Sequence, residues 1–274
     1  MRLRLAARGP SEDIDPRAVS NPITQRFREL KLAGRKVAAL TAYDYPGARL
    51  LDEAGIDLIL VGDSLGMVVL GHPDTTQVTL DDMVHHTGAV ARGANRAPVI
   101  TDLPIGTYGS PEEALRSAGR VMEAGADGVK IEGGSPVLPQ ISALTAAGIP
   151  VLAHLGMLPQ HIREEGGYKV KGRSQEEAAA LRHDAVAVQK AGAFAVVLEI
   201  VLPEVASGIS TELAIPTIGI GSGGGCDGQI LVLHDLVGLF PWFRPKFAQP
   251  RAELAAPFSA AVRDYIEAVH AGRD

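Results

Sequence analysis

The sequence predicts a (β/α)8 barrel, and three observations carry that expectation. Four segments repeat one order: "DEAGIDLILVGD", "MEAGADGVKIEGG", "TAAGIPVLAHLG" and "KAGAFAVVLE" each run from a helical pattern through a glycine into a short apolar stretch. Those apolar stretches do not alternate, which marks strands buried on both faces of a parallel sheet covered by helices. Eight such strands fit into 274 residues, about the length a closed ring of eight βα units needs.

Taken in order, residues 1–20 form a polar, Pro-containing extension, expected to be flexible and outside the fold. They lack the apolar core of a secretory leader, and Glu12, Asp13 and Asp15 argue against a transit peptide. Residues 21–274 are read as one barrel domain. Strands are expected at 37–43, 57–63, 98–104, 128–133, 150–156, 194–199, 216–221 and 230–235. Gly55, Gly125, Gly148 and Gly192 stand where a left-handed residue closes the helix before a strand. Helix starts agree. Ser110 with Pro111 and Glu113, and Ser174 with Glu177, read as capping boxes; Thr79 is followed three residues on by Asp82. Ala178, Leu181, Ala185 and Val188 make one helical stripe. The stretch "GSGGGCDGQ" between the last two strands is too short for a helix, so an open doubly wound sheet is the alternative reading. Its glycines suit either tight turns or a phosphate cradle.

Composition narrows the function. Hydrophobic residues are 46% of the chain and aromatics only 4%, which suits close packing of helices on a sheet. A net charge of −6 argues against binding driven by phosphate neutralisation, hence against a nucleic-acid partner. The single cysteine, Cys226, excludes an intrachain disulfide framework and fits a reducing compartment, so a cytoplasmic location is expected. No apolar run reaches the length of a membrane span.

Each strand ends in something polar, and a barrel gathers those ends on one face. Tyr43 and Asp44 follow the first strand, Asp63 and Ser64 the second, and Asp102 lies near the end of the third. Lys130 and Glu132 are in the fourth, His154 in the fifth, Glu199 ends the sixth, Ser222 follows the seventh, and His234 and Asp235 close the eighth. Several have ordinary structural readings. Asp44 suits a turn, His154 a satisfied core histidine, and Asp235 a helix cap. Lys130 and Glu132, two apart, face the same side of a buried strand. Burying both costs several kcal/mol per ion, on the order of the penalty for unpaired charges, unless something compensates. Two residues apart they pair poorly with each other, so each is expected to serve a third group. Asp63, Asp102 and Glu132 supply hard oxygen donors without a His or Cys cluster, which suits Mg2+ better than Zn2+. A cation held by few carboxylates leaves room for a bidentate 2-oxo acid, with Lys130 and Ser64 set to meet its carboxylate. Glu199 at the end of an apolar strand is a candidate proton acceptor. The polar, glycine-bearing stretch 157–173 has the length of a lid.

The stretches "LTAYDYPGARLLDEAGIDLILVGDSLGMVVLGH", "VTLDDMVHHTGAVARGA", "GADGVKIEGG", "HLGMLPQ", "GGYKVKGR", "LEIVLPEVA" and "CDGQILVLHD" occur in succession. Together they closely resemble the ketopantoate hydroxymethyltransferase family. The resemblance implies a barrel like those of the phosphoenolpyruvate/pyruvate superfamily. It implies transfer of a hydroxymethyl group from 5,10-methylenetetrahydrofolate to 3-methyl-2-oxobutanoate through a Mg2+-stabilised enolate, on the way to pantothenate and coenzyme A. By motif position it assigns Asp63, Asp102 and Glu132 to the metal, and Asp63, Ser64, Asp102 and Lys130 to the substrate. Glu199 becomes the proton acceptor, and His154 matches an active-site position. It also implies a homodecamer. The chain departs from the family pattern at "GHPDTTQVT", Ile105 and Leu158, none of which is an expected ligand. The rivals are a metal-dependent 2-oxo acid carbon–carbon lyase of the same superfamily, a sugar-phosphate barrel using the glycine run, and a barrel kept as a binding scaffold.

Overall fold

The computed structural model describes residues 21–273. The extension expected at 1–20 lies outside the described residues. In chain order the elements are α1 (Pro22–Leu32), β1 (Val37–Thr41), α2 (Tyr45–Glu53), β2 (Leu58–Val61), α3 (Leu65–Val68), α4 (Leu80–Gly93), β3 (Val99–Asp102), α5 (Pro111–Glu123) and β4 (Gly128–Glu132). There follow α6 (Leu138–Ala146), β5 (Val151–Gly156), α7 (Ile162–Glu165), α8 (Gln175–Lys190), β6 (Ala195–Glu199), α9 (Pro203–Glu212), β7 (Thr217–Ile220), β8 (Gly228–Leu231), α10 (Leu233–Val237) and α11 (Ala255–His270). The strands close a parallel barrel in the order β1 to β8, which removes the open-sheet alternative.

Local chemistry explains most boundaries. Gly55, Gly125, Gly148 and Gly192 all have positive φ, as the helix-to-strand turns require. Thr79 and Asp82 form a reciprocal capping box at α4. Ser110 and Ser174 cap their helices as expected, but the partner glutamates reach one residue further back. Glu113 accepts from the Gly109 N–H and Glu177 from the Arg173 N–H. Asp44 caps α2 by accepting from the Gly47 N–H at 2.7 Å. At the strand entries, Asp57, Asp127 and Asp227 accept from the backbone N–H of Ala38, Val99 and Thr217 on the preceding strands, fastening each pair where it begins.

The barrel interior is filled by Val37, Ala39, Leu58, Leu60, Ile100, Leu152, Val197, Ile218 and Ile230. Helix α1 closes the end opposite the site. Its Phe27 is fully buried and meets Phe194 edge to face at 5.2 Å between ring centroids. Lys31 Nζ donates to the Ser210 and Ile215 carbonyls and to Asp227.

Two expectations need correction. The last strand is Gly228–Leu231, not 230–235. It starts earlier because Val37 on β1 donates its N–H to the Asp227 carbonyl, and a Cβ at Gly228 would lie 2.5 Å from the Val37 carbonyl oxygen. Only glycine can close the ring there. His234 and Asp235 consequently lie in α10, and Asp235 is not its cap, since Val232 holds that position. The expected single domain over 21–274 divides into two compact units, residues 21–230 and 231–273. The chain leaves the sheet after Leu231, and α11 buries none of its side chains. Among the described residues, no helix is long and apolar enough to cross a membrane.

Candidate active site

Asp63, Asp102, Lys130, Glu132, His154 and Glu199 converge at the C-terminal ends of β2 to β6, and all six are buried. Strand register builds the cluster. Asp102 lies beside Lys130, Glu132 beside His154, and Gly156 beside Glu199. Gly156 matters here, because a Cβ on it would sit 2.3 Å from the Glu199 carbonyl oxygen.

Lys130 Nζ lies 2.9 Å from Asp102 Oδ1 and 3.6 Å from Glu132 Oε1. Lys130 and Glu132 were expected not to pair tightly with each other, and Asp102 is indeed the nearer partner of the ammonium, with Glu132 further off. The Asp63 N–H donates to Asp102 Oδ2 at 3.0 Å. His154 spans two acids, with Nδ1 3.1 Å from Glu132 Oε1 and Nε2 3.2 Å from Glu199 Oε2. The second contact is within reach but off the line of a good hydrogen bond. Ser64 Oγ pairs with the Tyr43 hydroxyl at 2.8 Å.

The charges are strongly coupled. Burial, then the Asp102 and Glu132 carboxylates, push the Asp63 carboxyl well above its ordinary range. Burial alone would lower Lys130, but Asp102, Glu132 and Asp63 outweigh it and hold the ammonium charged. His154 behaves alike: burial opposes its charge, yet Glu132 and Glu199 raise it to about 9. Glu132 moves the other way, because His154 and Lys130 overcome its desolvation and hold it low. Four carboxylates thus share the site with two cationic side chains. That surplus of buried negative charge suits a divalent cation, and the donors are hard oxygens.

No three His, Cys, Asp or Glu side chains among the described residues already stand ready to hold a metal ion. Asp63 Oδ2 is turned to Gln160, Asp102 Oδ2 to the Asp63 N–H, and Glu132 Oε1 to His154. Asp102 Oδ1 is buried and meets the Lys130 ammonium at 2.9 Å without the alignment of a good hydrogen bond.

Sequence reasoning missed Gln160, Tyr108 and the backbone at Ile200. Gln160 begins the loop expected to be a lid, but it is buried and donates to Asp63. Its signal was the "MLPQ" stretch at a strand end. Further along, Arg163 of the same loop pairs with Asp74 at 2.9 Å, and that charge, with Thr76, brings the Asp74 carboxyl down to about 2. The glycine run after β7 is spent on close packing. Cβ atoms at Gly223 and Gly225 would strike Pro203 and Ser207, and Ser222 Oγ donates to the Leu198 carbonyl while accepting from the Val201 N–H.

The sequence pattern of the ketopantoate hydroxymethyltransferase family matches residues 22–273. A 3-methyl-2-oxobutanoate hydroxymethyltransferase of Acetivibrio thermocellus is 53% identical over 251 residues, covering 91% of this chain and 89% of that one. Among solved structures, a phosphonopyruvate hydrolase complex with oxalate and Mg2+ superposes with a TM-score of 0.61 at 15% identity, over 91% of this chain and 88% of the other. A 2,3-dimethylmalate lyase, a member of the PEP mutase/isocitrate lyase superfamily, gives 0.58 at 23% identity over 90% and 87%. These structures share the fold.

Proposed function

The chain belongs to the ketopantoate hydroxymethyltransferase family, and from that premise we propose that it transfers a hydroxymethyl group from 5,10-methylenetetrahydrofolate to 3-methyl-2-oxobutanoate, giving 2-dehydropantoate for pantothenate and coenzyme A synthesis. The observation that supports this most is one buried line of groups. Glu199 faces His154, which faces Glu132, beside the Asp63–Asp102–Lys130 set. A base beside a group of acids able to hold a polarising cation is what removal of a proton next to a keto group needs.

Asp63, Asp102 and Glu132 would hold Mg2+, on the strength of their hard donors and of the crowding of buried acids that raises Asp63. Bound there, the ion would supply Lewis-acid polarisation of the 2-oxo acid. Lys130, held protonated, balances the substrate carboxylate, and Ser64 donates to it from its place beside Tyr43. Glu199 accepts the C3 proton. His154, charged and wedged between two acids, keeps the Glu199 carboxylate aimed into the cavity. The C3 carbon, having lost its proton, forms a bond to the one-carbon unit as that unit parts from the folate nitrogens; water supplies the hydroxyl, and tetrahydrofolate leaves with the proton.

Proton exchange tests this reading without folate chemistry. The protein is incubated with 3-methyl-2-oxobutanoate and Mg2+ in D2O, and the C3 proton is followed by NMR. The expected result is exchange that EDTA abolishes and Glu199→Gln slows by about 10²–10⁴-fold, the usual worth of a positioned base. Wild-type protein that leaves C3 protonated, with or without tetrahydrofolate, would contradict it.

A further inference from the structure

Gln160 occupies the turn Pro159–His161 directly after β5 and is 2% exposed. Its carboxamide is saturated in one orientation. Oε1 accepts from the Tyr108 hydroxyl at 2.6 Å, and Nε2 donates to the Leu103 carbonyl at 3.0 Å and to Asp63 Oδ2 at 2.9 Å. The Leu103 carbonyl only accepts, so the amide nitrogen must face it and the group cannot flip. The backbone N–H of the same residue donates to Glu132 Oε2 at 3.1 Å. Tyr108 is anchored in turn, its carbonyl accepting from Gln140 at 3.1 Å. One loop residue therefore ties a carboxylate at the end of β2 to another at the end of β4, with the backbone after β3 between them.

A buried amide so fully engaged does more than fill space, since every bond it makes ends on a group of the site or its backing. We infer that Gln160 is a positioning residue: it fixes the Asp63 and Glu132 carboxylates at the separation and orientation from which they hold a divalent cation. The inference rests on the reading of those two acids given above. Gln160 touches neither substrate nor cation in this scheme. It acts through the acids, as the outer hydrogen-bond partners of metal ligands do.

The test compares three variants by titration with Mn2+, read by the EPR signal of the free ion, on full-length protein without substrate. Gln160→Met keeps the volume but removes the three carboxamide bonds, leaving the backbone N–H on Glu132 in place. Tyr108→Phe removes only the O–H that orients the amide. Gln189→Met is the control. Gln189 is also fully buried, accepts from the Ala214 and Ile215 N–H groups, and makes no contact with the site. Gln160→Met is expected to weaken Mn2+ by about tenfold to a hundredfold, and Tyr108→Phe by a smaller factor in the same direction, while Gln189→Met matches wild type. In turnover, Gln160→Met should raise KM for the oxo acid at limiting Mn2+, and saturating Mn2+ should restore most of kcat. Wild-type affinity in Gln160→Met overturns the inference, as does wild-type affinity in Tyr108→Phe should Gln160→Met fail to fold. Equal losses in Gln160→Met and Gln189→Met overturn it too. Wild-type protein that binds no Mn2+ overturns the metal reading itself, and this inference with it.

Discussion

At the scale of single residues, the site depends on where one backbone is bent. Ile200, directly after Glu199, has φ +49, the one non-glycine residue with positive φ among the described residues. For a β-branched residue this is a strained state that costs about 1–3 kcal/mol. Hydrogen bonds hold it there: its N–H donates to the Ile220 carbonyl and its carbonyl accepts from Lys171. Ile200→Gly removes the strain along with a half-buried side chain. The two effects should offset, leaving the thermal midpoint within about 3 °C of wild type, whereas a cost above about 3 kcal/mol by denaturant titration would show that the bend carries no strain. Asp63, Asp102, Glu132, His154 and Glu199 were legible because strand ends in a barrel share one face. Gln160 and Ile200 were not. Gln160 reaches Asp63 across 97 residues of sequence, and a loop carries no periodicity from which such a contact could be read. A φ angle leaves no mark in the letters when the residue is isoleucine.

At the scale of elements, two predictions concern how helices are fastened to the barrel. Phe27 on α1 plugs the end opposite the site, and Phe27→Ala should cost about 3–5 kcal/mol by equilibrium unfolding. A loss below 1 kcal/mol would mean that α1 is not part of the core. Asp52, at the end of α2, accepts from the Arg96 and Ala97 N–H groups at 2.9 and 2.8 Å. Burial opposes its charge, but those bonds and the Arg96 guanidinium lower its pKa in the fold. A lowered pKa adds stability that is present above the unfolded value, about pH 4, and lost as pH falls through the folded value. Asp52→Ala should therefore be less stable at pH 7, by on the order of 2 kcal/mol, and the gap should shrink toward pH 3; a gap that stays constant with pH would contradict the linkage. Caps and glycine stops were readable because each rests on contacts within a few residues. The eighth strand was misplaced for the opposite reason. "ILVL" has strand character, but its start is set by the approach of Gly228 to Val37, a partner nearly the whole barrel away in sequence.

At the scale of the whole molecule, the closed ring follows from eight buried strands, and composition alone could not distinguish it from an open sheet. The C-terminal unit was not foreseen as separate, since its residues carry helical patterns like those of the barrel. Its helix α11 exposes Phe258, Val262, Tyr265 and Val269 along one stripe. A stripe of this kind is uncommon on a surface that meets only water, and it is a face that the self-association implied by the family resemblance would cover. Phe258→Asp with Tyr265→Asp should lower the mass seen by light scattering; an unchanged mass would remove α11 from the interface.

The most direct measurement is anomalous diffraction from crystals soaked with Mn2+ and 3-methyl-2-oxobutanoate. The account predicts one strong peak among the side chains of Asp63, Asp102 and Glu132, with the oxo acid between that peak and Glu199. Saturating Mn2+ that leaves no density among those three acids, or gathers at another place on the chain, would contradict it.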